Sequence, residues 1–152
     1  MENREKLEYG DLAEVSVSYL YKSDLKSRPK ITNPYDAFQV AWRVIDKDLI
    51  GIQEQFLAIY LNISNKVIGT RCHFCGGISS VTVDIKILLV TAIKLMASSI
   101  IVAHNHPSGV LKPSDQDLRL TGKLKEALKL LDIELFDHLI ISPEGNFISI
   151  IN

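Results

Sequence analysis

The 152-residue chain has 47% apolar residues, 23% charged residues and a formal net charge of -1, ordinary values for a globular domain large enough to build a core. This balance excludes the overall basic excess of a nucleic-acid footprint, and two cysteines exclude a disulfide framework. The first residues are charged and lack the apolar core of a secretory signal, and the longest apolar runs are interrupted by lysines, so the expectation is a reduced, cytoplasmic protein with no membrane association.

Residues 1–29 read as an N-terminal lead-in: a charged, aperiodic start, an alternating run over 14–21 that fits an edge strand, then turn material. Asn33 is placed to cap a helix with Pro34 at its first position, running to about residue 46. QEQFLAIYLN, beginning at Gln53, is apolar on both faces and predicts a central strand. KVIGTRCHF is its expected hairpin partner, and the pattern breaks at Gly76 and Gly77. Asp84 predicts the cap of a helix over IKILLVTAIKLMASS, and SIIVAH predicts a buried strand. After a loop over 107–113, Ser114 opens an amphipathic helix to about Asp132. IELFDHLIIS and NFISI form a closing hairpin around Pro143 and Asn146. Strands alternating with helices predict one α/β domain over 30–152, a mixed central sheet flanked by helices.

The chemistry concentrates at the end of the buried strand, in His104-Asn105-His106-Pro107. Residues two apart in an extended segment point to one side, about 6.6 Å apart at the backbone. Two imidazoles so placed suit one cation, and Pro107 stops the ladder beyond them. Zinc takes imidazole nitrogens and a carboxylate while keeping a fourth position open. Asp115 and Asp117 compete to supply that carboxylate. At about 100° per residue, Asp117 falls in line with Thr121, Leu124, Leu128 and Leu131, the stripe that faces the sheet. Asp115 falls on the opposite side with Arg119. An aspartate on a leucine stripe is costly to bury without a partner, and a metal would be one. Ser114-x-x-Asp117 also matches a capping box, so capping is the competing role for the same residue.

The string His104-Asn105-His106-Pro107, followed by Ser114 and Asp117, resembles the JAMM or MPN-plus metalloprotease motif. HNHPSG with the downstream Pro-Ser, Asp and Thr resembles its RadC-type branch, a family that carries a DNA-repair label. SIIVAHNHPSG, LTGKLKEALKLLDIELFDHLI and the strand from Gln53-Glu54 extend the resemblance over about residues 30–150. SVTVDIK departs from the Arg-Glu opening more usual before the preceding helix. The resemblance implies a single JAB/MPN-like fold of the cytidine-deaminase-like kind. It implies Zn2+ held by His104, His106 and Asp117. It also implies a catalytic glutamate, matched here by Glu54, which takes a proton from the zinc-activated water and gives it to the leaving amine. Ser114 is implied as a donor to the tetrahedral oxygen. For Glu54 the competing reading is an exposed carboxylate at a strand start.

A zinc-dependent hydrolase acting on a peptide or isopeptide is therefore the leading expectation. The alternatives are a nuclease-like module or a non-catalytic one, linked to DNA repair or mobile-element maintenance. Nucleic acid enters as a partner through the family label alone. Cys72-x-x-Cys75 resembles half of a zinc knuckle but lacks a second cysteine pair. Asp137-His138 reads either as a structural contact or as a pair that orients a ligand.

Overall fold

The structure is a computed structural model that describes residues 24–76 and 82–151. The strand expected over 14–21 lies outside the described residues. Helix α1 covers Pro34–Val44, capped by Asn33, whose side chain accepts from the Asp36 amide at 3.0 Å. Strands β1 (Gln55–Leu61) and β2 (Val67–Cys75) pair antiparallel. Helix α2 (Ile85–Lys94) is capped by Asp84. Strand β3 (Ser99–Asn105) leads through a loop to helix α3 (Asp115–Lys129), then to β4 (Glu134–Ile141) and β5 (Phe147–Ser149).

The sheet order is β2-β1-β3-β4-β5. Only β3 and β4 run parallel, and α3 connects them; the other neighbours are antiparallel. The mixed sheet with flanking helices is the expected fold class. Alternation along the buried strands divides the core in two. Leu57, Ile59, Ile101 and Ala103 meet Phe38 and Ala41 of α1 on one face. Phe56, Ala58, Tyr60, Ile100 and Val102 meet Leu88 and Ala92 of α2 and Leu124 and Leu128 of α3 on the other. Both faces of β1 and β3 are thus covered, which explains their unbroken apolar runs.

Several boundaries differ from expectation. Helix α3 stops at Lys129, and Asp132 turns the chain with a φ of 53°. Leu131 therefore leaves the stripe and is 40% exposed, while Thr121, Leu124 and Leu128 stay buried. Helix α2 ends at Lys94, before Met96 takes a φ of 50°. Strand β1 begins at Gln55, so Glu54 stands just ahead of it.

Candidate metal centre

His104 closes β3 on the face shared with α3, in register with Phe56 of β1 and stacked on its ring. The β3–β4 ladder reaches one residue further, with the His106 amide donating to Ile141 O at 2.9 Å. Pro107 ends the strand. The Gly109 amide then closes a turn onto His106 O at 2.9 Å, and Gly109 takes a φ of 78°, open to glycine at little cost. This turn brings Val110 O back to within 2.7 Å of His106 Nδ1. A carbonyl can only accept, so His106 carries a proton on Nδ1, and the neutral ring turns a bare Nε2 inward.

Asp117 sits in the first turn of α3. Its Oδ2 accepts from the Ser114 amide and the Ser114 hydroxyl, both at 2.7 Å, and Ser114 Oγ accepts from the Asp117 amide at 3.1 Å. Its Oδ1 lies 3.1 Å from His104 Nε2. The capping contacts fall on Oδ2, which leaves Oδ1 toward His104. Asp115 is exposed. Burial pushes the Asp117 carboxyl up, but the neighbouring His104 and His106 imidazoles and the hydrogen bond from Ser114 outweigh it and hold the group far below the usual range. The neighbouring Asp117 carboxylate raises His106 in turn.

His104, His106 and Asp117 form a group that could hold a metal ion. The two Nε2 atoms are 3.0 Å apart, and His106 Nε2 is 3.5 Å from Asp117 Oδ2. Donors roughly 2.0–2.1 Å from a tetrahedral zinc stand about 3.3 Å from one another, so spacing and donor chemistry both fit such an ion.

A RadC-like JAB domain model matches residues 31–152. The chain is similar to the UPF0758 protein of Aquifex aeolicus, 41% identical over 124 residues, which are 82% of this chain and 52% of that protein. It is similar to the UPF0758 protein of Porphyromonas gingivalis, 39% identical over 112 residues, 73% of this chain and 49% of that one. A third, from Clostridium perfringens, is 41% identical over 130 residues, 86% of this chain and 56% of that protein. This chain belongs to the RadC-like JAB domain family. It spans about half the length of the curated relatives it matches.

In this RadC-like domain Glu54 has no place in the ligand group. The β1–β3 ladder ends where Phe56 pairs with His104, two residues after Glu54. Glu54 is half-buried, and its charge is close enough to raise His106. Among the described residues no hydrogen bond or ion pair occupies its carboxylate.

Asn105 has no local signal in the sequence, whereas His138 belongs to the pair considered there as orienting a ligand. Asn105 points away from its histidine neighbours and is fully buried. Its Oδ1 accepts from the Gln55 amide at 2.7 Å, and its Nδ2 donates to Ile50 O at 2.7 Å and Gln53 O at 2.8 Å. The segment bearing Glu54 is thus clamped to the strand bearing the histidines. Behind His104 lie His138 and Thr121, with His104 Nδ1 2.9 Å from His138 Nε2 and His138 Nδ1 2.7 Å from Thr121 Oγ1. Burial pushes His138 down to about 3. Asp137 takes no part, because alternation along β4 turns it to the other face, where it accepts from Ser149 Oγ at 2.6 Å.

Cys72 and Cys75 are exposed free thiols with their sulfurs 4.0 Å apart. Among the described residues they belong to no group of three metal donors, and partial desolvation around the sulfur, together with the neighbouring Cys75 thiol, pushes Cys72 up to about 11 although the residue as a whole is exposed. No described helix is long and apolar enough to cross a membrane.

The helix geometry separates the two aspartates by experiment. Asp117→Ala removes a donor and a cap, and should weaken zinc binding by more than the roughly 10–100-fold typical of losing an outer partner. Asp115→Ala should leave zinc affinity unchanged and stability within about 0.5 kcal/mol. Chelator competition and thermal melts on the two variants read both effects, and equal zinc loss in both would refute the register.

Proposed function

We propose that this domain is a zinc-dependent hydrolase of amide bonds, of peptidase or isopeptidase type. His104, His106 and Asp117 would hold the ion and Glu54 would act as general acid and base. The observation that carries this reading is the convergence of two imidazole nitrogens and one carboxylate, with contacts of 3.0 to 3.5 Å, from the end of β3 and the start of α3. Membership of the RadC-like JAB family supports it. The names of its relatives, UPF0758 proteins, specify no activity.

A bound zinc would polarise the scissile carbonyl and make a water acidic enough to react near neutral pH. The chain's own residues supply the rest. His106 is oriented by Val110 O, and Asp117 by the Ser114 amide and hydroxyl. In this reading Glu54, ahead of β1 and influencing His106, takes the attacking water's proton and returns it to the leaving nitrogen. The Ser114 hydroxyl donates to Asp117 Oδ2 at rest. In this reading it joins the developing oxyanion by rotating off that oxygen.

The test is a panel of an unstructured peptide, a ubiquitin-like isopeptide conjugate and single-stranded DNA, assayed with and without a chelator. Cleavage of an amide substrate, abolished by chelation and restored by zinc, is the expected result. Metal-dependent cleavage of DNA alone would replace the reading with a nuclease. Tight zinc binding without turnover of any substrate would favour a non-catalytic module.

A further inference from the structure

We propose that Thr121 and His138 are positioning residues that lock His104 in the tautomer whose unprotonated Nε2 faces His106 and Asp117. The inference deepens the metal-site reading and rests on it for the use of that lone pair.

Proton accounting starts from Thr121. Its hydroxyl has one proton, and it donates 2.7 Å to Asp117 O, the carbonyl one helical turn back. A carbonyl cannot donate, so the hydroxyl proton is committed there. The remaining contact of Thr121 Oγ1, 2.7 Å to His138 Nδ1, must then have the ring as donor. His138 is 0% exposed, and among the described residues its ring is bonded only to Thr121 and His104. A charged ring enclosed there, with no carboxylate bonded to it, would be costly. The neutral ring with its proton on Nδ1 has a bare Nε2. That atom accepts from His104 Nδ1 at 2.9 Å. His104, itself 2% exposed, thus has its proton turned away from the centre. With His106 set the same way by Val110 O, two imidazole lone pairs and a carboxylate face one another. No N–H lies among them in this state, which is the condition a cation satisfies. The chain Asp117 O, Thr121, His138, His104 also ties the α3 turn carrying one donor to the strand carrying another. Outer partners of this kind set both the tautomer and the aim of a ligating imidazole.

The spectroscopic arm needs no metal. Long-range 1H–15N correlation on the zinc-free full chain should find His104 protonated on Nδ1, with Nε2 in the bare-nitrogen range. His138→Leu removes the acceptor while filling much of the space. It should mix the His104 tautomers and weaken zinc binding about 10–100-fold in chelator competition. His138→Gln restores an acceptor and should recover most of that loss. Thr121→Val keeps the shape, removes the partner of His138, and should weaken binding in the same direction by less. If His138→Leu does not fold, Thr121→Val and the parent spectrum carry the test. A His104 protonated on Nε2 in the parent would overturn the proposal. So would unchanged zinc affinity in folded His138→Leu and Thr121→Val. A parent with the Nδ1 tautomer that binds no zinc would overturn the metal-site reading while leaving the lock intact.

Discussion

Asn105→Ala should destabilise the domain by about 3–5 kcal/mol, more than any other single polar change near the site. The side chain is fully buried and makes three hydrogen bonds to backbone 50 to 55 residues away in sequence. Truncation leaves the Gln55 amide and the carbonyls of Ile50 and Gln53 without these partners. Each orphaned buried group costs roughly 1–3 kcal/mol, and partial entry of water keeps the total below the full sum. Asn105→Asp tests the donors separately. It keeps an acceptor for the Gln55 amide, but aims negative charge at two carbonyl oxygens, and should be at least as harmful. Urea denaturation with an unchanged slope would read the loss as stability rather than compactness. Effects under about 1 kcal/mol in both variants would mean that the clamp is incidental. In preparations that remain folded, activity should fall further than zinc binding. Gln53 and Gln55, the two residues flanking Glu54, are held by Asn105, whereas Asp117 is held independently by Ser114.

What the sequence made legible, it did through short-range periodicity. His104 and His106 share a side because the strand repeat is two residues, and β3 runs to Asn105. Asp117 and Asp115 separate because the helical repeat carries only the first toward buried Thr121 and Leu124. Asn33, Asp84 and Ser114 act as caps where local side-chain chemistry predicts them. The reading failed where the deciding partner is remote. Asn105 looks like a spacer between two histidines, since its partners lie around residues 50–55. Thr121 passes for one more member of a buried stripe, and only the β4 register places His138 against it. Asp137 and His138 read either as a structural contact or as a pair that orients a ligand; strand alternation turns their side chains to opposite faces, and of the two it is His138 that meets His104. The start of β1 slipped by two residues because no glycine or proline marks it; the Asn105 side chain, in place of a continued ladder, meets Gln55 there.

Glu54→Gln should lower hydrolysis by about 10²–10⁴-fold while leaving zinc content and the melting temperature unchanged. The amide matches the carboxylate in size and can still hydrogen-bond a water. It cannot accept that water's proton at neutral pH, and general-base assistance typically accounts for a factor of this order. The structure gives two reasons to expect the fold to tolerate the change. Glu54 lies outside the strand, where its main-chain carbonyl accepts from the Gly76 amide at 2.8 Å, a bond the substitution does not touch. Its carboxylate makes no hydrogen bond or ion pair among the described residues. Glu54→Ala should be as inactive as the glutamine variant, because both lack the proton acceptor. Glu54→Asp should retain partial activity, with the carboxyl withdrawn by one methylene. Metal analysis and hydrolysis on the same preparations separate the outcomes. Full activity in Glu54→Gln would move the acid–base role to another group. Loss of zinc in Glu54→Gln would make Glu54 a support of the metal centre, and the proton acceptor would have to be sought outside the ligand group of His104, His106 and Asp117.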